Sequence, residues 1–262
     1  MRKLLVLAIA LAALMAATSP AAANFRCDST FTGITVDDDL VVPPGATCSV
    51  TGATVEDDIE VLANGTLVAT DTTVGEDVQI HRDAYGELNS SDVGDSVYGR
   101  TADTVFIHNG STLGGGIRTF STLNIFVFNS NVAQQISVRD TPAELSGRVN
   151  ICGNTAGRIH VADSGTDILI GHTDPLAECA GNTLRTGDLK VEDSFVDVQL
   201  VVEANTLLVG DLEVSDNTGP ALKSVSNNTG IAELECEGNE QPFQATGNTG
   251  WTEFEGQCEP GV

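Results

Sequence analysis

The chain has 262 residues, with 12 lysines and arginines against 37 aspartates and glutamates, a formal charge of −25. A field of that sign repels nucleic acid and anionic lipid, and it favours solubility, multivalent cations or a saline medium. Gly, Thr, Asn and Asp are abundant and no long stretch keeps a 3.6-residue apolar spacing, so a helical protein is excluded; the alternation in Ile125-Phe-Val127 and Ile168-Leu-Ile170 is that of strands.

The N-terminus reads as a secretory signal peptide. Met1-Arg2-Lys3 is followed by an apolar run from Leu4 to Ala17 and by Ala21-Ala22-Ala23, with cleavage expected after Ala23. The run is shorter than the roughly 18–20 residues a membrane span needs, and no later run is long enough, so no insertion is expected after cleavage. Removal of residues 1–23 takes away two of the 12 basic residues and no acid, which leaves a formal charge of −27. Residues 24–35 read as an N-terminal cap.

From Val36 to Val138 the chain repeats. In register it runs Val36-Asp-Asp-Asp-Leu40, Val55-Glu-Asp-Asp-Ile59, Val74-Gly-Glu-Asp-Val78, Val93-Gly-Asp-Ser-Val97, Leu113-Gly-Gly-Gly-Ile117 and Val132-Ala-Gln-Gln-Ile136. The second anchors stand 19, 19, 19, 20 and 19 residues apart. A fixed period of this size marks a solenoid, in which each repeat buries its apolar side on its neighbours. Each anchor opens an apolar-x-apolar triplet such as Ile59-Glu-Val61. A second apolar strand follows about ten residues later, as in Val105-Phe-Ile107, and a polar corner closes the coil.

After Val138 the register loosens. The anchors become Ile159, Leu189, Leu212, Leu234 and Phe254, at steps of 23, 30, 23, 22 and 20, which makes eleven rungs in all. The longest step holds Gly171 to Cys179, read as a loop outside the wall, where a binding site is most cheaply placed. The expected fold is a single-stranded right-handed parallel β-helix of about eleven coils over 36–258, with short caps and a tail at 259–262. A left-handed helix built from six-residue units fits this period less well, and an antiparallel sandwich would not repeat the same corner chemistry.

Asn-Thr recurs at Asn154, Asn182, Asn217, Asn228 and Asn248. Asn tolerates left-handed backbone, and stacked amides form a ladder, so these five are expected to stack at one corner. The alternative is a glycan-acceptor role for Asn64 or Asn227. Trp251 and Phe254 read as a plug over the last coil, and Phe120, Phe126 and Phe128 as an aromatic cluster on the fifth.

Six cysteines in an exported chain imply disulfides. Cys27 and Cys48, Cys152 and Cys179, and Cys236 and Cys258 are each about one coil apart. Residues stacked on adjacent coils sit near 4.8 Å, within the Cα separation of roughly 4.4–6.8 Å a bridge needs, so these three pairings are predicted. No CxxC occurs, which argues against zinc.

Two groups of residues bear on chemistry. In register, Asp38, Asp57, Glu76 and Asp95 form one acidic column and Asp39, Asp58 and Asp77 a second. Stacked carboxylates repel, and hard cations with oxygen ligands relieve the repulsion. Two readings stand: a solvated face, or a weak Ca²⁺ site. The second group is His81, Arg82, Asp83, Arg100, Asp103 and Arg139, which line either a polysaccharide-binding wall or a set of salt bridges within an acidic one. The histidines at 81, 108, 160 and 172 lack metal-ligand spacing and read as surface or turn residues. Gly94-Asp95-Ser96 looks like the start of a GDS esterase, but it occupies the repeat slot and no Asp-x-x-His follows. Gly114-Gly115-Gly116 fills the same slot and reads as a corner rather than a phosphate loop. No catalytic residue is assigned.

The run Leu234-Glu-Cys236-Glu-Gly-Asn239, with Gly247-Asn-Thr249, Glu255-Gly-Gln-Cys258, Gly210-Asp-Leu-Glu-Val214 and Asn217-Thr218-Gly-Pro220, resembles uncharacterised exported bacterial parallel β-helix proteins over most of 27–258. The resemblance implies a secreted solenoid and no activity. The short coils are also similar to those of bactofilins, which polymerise through bare ends; this chain departs from them in its export signal and its stapled ends. The expected role is a rigid, non-enzymatic acidic scaffold or binding module whose partners are divalent cations or a polysaccharide or other cell-envelope component. The rival is a polysaccharide lyase or hydrolase.

Overall fold

The computed structural model describes residues 24–143, 147–171 and 179–259. The signal peptide expected at 1–23, most of the loop expected at 171–179 with its His172, and the end of the tail lie outside them. The described residues are all β, with every strand pair parallel and no helix, hence none long and apolar enough to cross a membrane. The chain winds as a solenoid with three faces. Face one carries two-residue strands such as Thr35–Val36. Face two carries the anchor triplets, such as Leu40–Val42. Face three carries five-residue strands, such as Thr47–Thr51, in an 11-stranded sheet. Faces one and two join in a 19-stranded sheet because single strands, Asn131–Arg139 and Thr155–Ala162, run through both.

Every expected anchor stacks on the next. Leu40 pairs with Ile59, Ile59 with Val78, Val78 with Val97, Val97 with Ile117 and Ile117 with Ile136. The series continues through Ile159, Leu189, Leu212 and Leu234 to Phe254, across the longer steps. We number the coils 1 to 11 by these anchors. The cap residues are themselves paired: Phe25 stacks on Leu40, and Phe31 on Val50. The anchors of coils 1 to 10 are fully buried, each worth about 1.5–3 kcal/mol relative to exposure. In the repeat slot, glycine is imposed by close approach of successive coils. A Cβ on Gly75 would lie 1.8 Å from the carbonyl oxygen of Glu56, and one on Gly94 would lie 2.0 Å from that of Gly75.

The corners are held by buried polar ladders. Before every ladder residue except Asn182 stands one in the left-handed region, such as Asp71, Ser90, Asn129 or Asn227, which turns the next side chain inward. The corner before face one stacks Thr72, Ser91, Ser111, Ser130, Asn154, Asn182, Asn205, Asn228 and Asn248. In its asparagine half, each backbone N–H and each Nδ2 donates to the Oδ1 of the next coil's asparagine, at 2.9–3.2 Å. Nδ2 also donates to a backbone carbonyl. Asn217 does not belong here, contrary to the expectation of one corner. It stacks with Ser194, Asn239 and Gln257 at the corner after face two. Its place is five residues after an anchor, whereas the others precede theirs, and that offset decides the corner.

The three disulfides are Cys27–Cys48, Cys152–Cys179 and Cys236–Cys258, with Cα separations of 5.3, 5.6 and 5.2 Å. They are bridges of an oxidising compartment. The expected reason, direct stacking, is corrected: Cys236 pairs in register with Gly256 and Cys48 with Leu67, so the bridges reach diagonally between strands. Trp251 is buried and packs its ring over Gly230, and Phe254 lies on Leu234, which closes the last coils. One core position departs from the pattern. Lys223 is fully buried between Leu200 and Phe243 in its column, and its Nζ donates to the carbonyls of Gly219 and Ala221 at 2.7 and 3.1 Å. Burial pushes its pKa down, partly offset by the charge of Glu240.

Replacing Asn205 with Ala removes two donated and two accepted bonds in a buried ladder and strands the amide of Asn182 and the carbonyl of Ile170. We expect a loss of about 3 kcal/mol, read by denaturant unfolding, and a loss under 1 kcal/mol would deny the ladder its structural role.

Candidate functional site

On face two the outward positions form three rows: one residue before each anchor, one after it and three after it. The leading row begins Asp39, Asp58, Asp77. Its carboxylates close the backbone between coils: Asp39 Oδ1 accepts the amide of Asp58 (3.3 Å), Asp58 Oδ1 that of Asp77 (2.8 Å) and Asp77 Oδ1 that of Ser96 (2.9 Å). These acids are corner bonds first. Burial pushes the carboxyls of Asp39 and Asp77 up, neighbouring aspartates add to that, and the accepted amide bonds oppose it. The ligand oxygens of Asp38, Asp39 and Asp57 lie within 4.8 Å of one another, close enough to share a cation. Asp58, Glu76, Asp77 and Asp95 join no such group among the described residues. A second group, Glu235, Glu237 and Glu255, was missed because coils 10 and 11 lie in the loosened part of the repeat. Burial, then the charges of Glu213, Glu237 and Glu255, raise the Glu235 carboxyl.

The esterase-like and glycine-rich motifs are structural. Ser96 is buried, and its hydroxyl lies between Asp95 Oδ1 (3.1 Å) and the amide of Gly116 (3.1 Å). The amides of Gly114 and Gly115 donate to Val93 and Asp95 of the preceding coil. The described histidines are not bare surface residues: His81, His108 and His160 each face a glutamate of an adjacent coil, Glu60, Glu87 and Glu192, at 2.8–3.0 Å. Phe126 and Phe128 gather with Phe106 and His108 on face three. Phe120 does not join them. Three places after its anchor, it points out from face two and is 53% exposed.

The middle and trailing rows of coils 4 to 8 form the one strongly cationic surface among the described residues. The middle row reads Tyr98, Arg118, Ser137, His160, Lys190, and the trailing row Arg100, Phe120, Arg139. Gln135 and Arg158 pair in the leading row. These residues line a depression of about 530 Å³. It adjoins a second of about 370 Å³ at Gln79, His81, Tyr98 and Arg100, and a third of about 540 Å³ at Gln135, Arg158 and Asp188. The second shares Tyr98 and Arg100 with the first and precedes it along the solenoid axis, whereas the third shares Arg118, Gln135, Arg158 and Asp188 with the first and lies beside it, toward the corner before the anchors.

Of the group expected from sequence, the structure brings together Arg100 and Arg139, with His81 in the adjoining depression. Arg82 and Asp83 pair with each other at a corner, and Asp103 accepts from Thr104. Salt bridges account for Arg82 and His81 of this group but not for Arg100 and Arg139. Among the described residues, none of Arg100, Arg118, Arg139 and Arg158 forms an ion pair. Arg118 Nη1 donates to Tyr98 Oη at 3.0 Å and lies 5.7 Å over that ring's centroid. Arg158 clasps Gln135 Oε1 through Nε and Nη2, and Arg139 donates to His160 Nδ1 at 3.4 Å. Such bonds fix guanidiniums without neutralising them. The patch ends at coil 8, where Lys190 bridges Glu192 (2.8 Å) and Glu213 (3.1 Å). The bond to Glu192 raises the Lys190 pKa. Burial would push Glu192 up, but the bonds from Lys190 and His160 hold it below its ordinary range. The x position of apolar-x-apolar carried the signal for Arg118, His160 and Lys190.

No family model, curated protein or solved structure matches the chain.

Because the Asp77 carboxyl is raised in the folded state, its ionised form costs stability above its folded pKa, and that cost disappears as pH falls to the unfolded value. Asp77→Asn keeps an oxygen for the Ser96 amide. It should raise the melting temperature at pH 7 by an amount equivalent to about 0.5 kcal/mol after solvent screening. It should give no gain near pH 3, measured by thermal melts across that range.

Proposed function

We propose that the chain is an exported, non-enzymatic binding module whose rigid solenoid presents one cationic and aromatic patch to an anionic polysaccharide of the cell envelope or its surroundings. The observation that carries this reading is the convergence of Arg100, Arg118, Arg139 and Arg158, in no ion pair with the described carboxylates, on one face of a chain of formal charge −25. Unneutralised guanidiniums beside Tyr98 and the exposed Phe120 match a ligand with anionic groups and an apolar sugar face. The strong negative field elsewhere confines such a ligand to this patch. Export is supported by the signal-like residues 1–23 and the three disulfides. Binding is favoured over hydrolysis because the depression is lined by cations with a single carboxylate, Asp188, whose Oδ1 is taken by the amide of Asp211. A hydrolase needs a convergent pair of acids.

Titrating an acidic polysaccharide by calorimetry should show binding that weakens with salt. The exposed pair Arg118→Ala and Arg139→Ala together should weaken it at least 10-fold. Equal affinity for a neutral glucan, or indifference to both substitutions, would sink the reading.

A second reading, accessory to the first, is favoured by the close oxygens of Asp38, Asp39 and Asp57: this cluster takes up Ca²⁺ and stiffens the N-terminal coils. Millimolar Ca²⁺ should raise the melting temperature, and Asp57→Asn should reduce the shift; no shift in the native chain removes this reading.

A further inference from the structure

The cations on face two are not merely clustered; they alternate. Coil 4 carries Tyr98 in the middle row and Arg100 in the trailing row. Coil 5 reverses the order, with Arg118 in the middle row and Phe120 in the trailing row. Coil 6 reverses it again, with Ser137 and Arg139. On coil 7 the guanidinium crosses to the other side, at Arg158 in the leading row, beside His160 in the middle row. One guanidinium thus stands on each of four successive rungs, in the trailing row on coils 4 and 6 and away from it on coils 5 and 7, in the middle and leading rows. Rungs are about 4.8 Å apart, and rows two residues apart along a strand are about 6.6 Å apart. The uncharged partner on coils 4 and 5 is an aromatic ring, so cation and ring form a checkerboard.

From this pattern we infer that the ligand is a linear polyuronate lying along the solenoid axis, one sugar per coil over coils 4 to 7. In an extended ribbon of equatorially linked sugars, each residue is turned over relative to the last, so its carboxylate alternates between the two edges. The advance per sugar is close to the spacing of the rungs. Arg100 and Arg139 then meet carboxylates on one edge, and Arg118 and Arg158 meet those on the other. Tyr98 and Phe120 lie under sugar faces between them. The first two depressions supply a trough in that direction, from Gln79 to Lys190, and the third widens it on the leading side at Gln135, Arg158 and Asp188. Its length is bounded by charge. The middle row becomes Glu213, Glu235 and Glu255 beyond Lys190, and it is Glu60 before Gln79. A longer ribbon would meet like charge at both ends. The inference rests on the anionic-polysaccharide reading and adds orientation, charge spacing and length.

The test uses the full mature chain and two ladders of defined oligosaccharides. One is β-1,4-linked mannuronate of two to eight sugars, with one carboxylate on every sugar. The other is hyaluronan of the same lengths, with one on every second sugar. Affinity for the mannuronates should rise with length and level off at about four sugars, and it should exceed that for hyaluronan of equal length at least 10-fold. Arg118→Ala and Arg139→Ala, on opposite edges, should each weaken the mannuronate tetramer by about 10-fold, and Arg82→Ala, outside the patch, should not. Glu213→Gln with Glu235→Gln should move the plateau to longer oligomers. A plateau at two sugars, or equal affinity for the two ladders at equal length, would overturn the axial ribbon while leaving anion binding intact. Absence of binding by both ladders would remove both readings. So would a salt-labile dimer abolished by Arg139→Ala, which would assign the patch to the acidic wall of a second copy.

Discussion

Parallel pairing at one-coil register governs this molecule. Each coil passes its outward backbone N–H and C=O groups along the axis to the next, so a residue's neighbours are the residues at the same place one coil earlier and later. The pairing places like on like. Valines and isoleucines stack into a continuous core, and asparagines stack into amide ladders in which each Oδ1 accepts both the backbone amide and the Nδ2 of the preceding coil's asparagine. Contacts are local along the axis, reaching across two coils where Arg185 donates to Asn131, so stability is close to a sum over coils and their interfaces.

The same rule makes charge expensive or useful in rows. An acid repeated at one position must face its copies. In the leading row the chain uses Asp39, Asp58 and Asp77 to accept the amides of the following coil, so these carboxylates have a structural role before any ligand is considered. At the other end of the face, Glu235, Glu237 and Glu255 approach one another without such bonds between them. Between the two acidic stretches the rows change sign, and there the guanidiniums of Arg118, Arg158 and Arg139 are tethered by Tyr98, Gln135 and His160 rather than by acids. A ligand replaces none of the protein's ion pairs when it binds them, which is the condition for a preorganised anion site.

The disulfides sit where rung pairing alone is weakest. Cys27–Cys48 and Cys236–Cys258 brace coils at the ends of the stack, which have only one neighbour. Cys152–Cys179 ties coil 6 to coil 7, at the end of the longest step that lies before Leu189. Their loops are short, and each bridge restricts the unfolded chain by a few kcal/mol. Trp251 over Gly230 adds an apolar closure at the C-terminal end.

The sequence by itself determined the period, the eleven anchors, the strand character and the cysteine pairings, because apolar residues facing inward must recur at every coil or leave a void. The regular spacing of coils 1 to 6 also exposed the acidic columns around Asp39 and Asp58. Only the tertiary structure decided what the outward rows do. An outward position is free to hold any residue, so no periodicity joins Tyr98, Arg118, His160 and Lys190, and the steps of 23 and 30 residues hide their alignment. It also separated Phe120 from Phe126, and Asn217 from Asn182, because which face or corner a side chain occupies depends on its offset from the nearest anchor and not on the residues beside it.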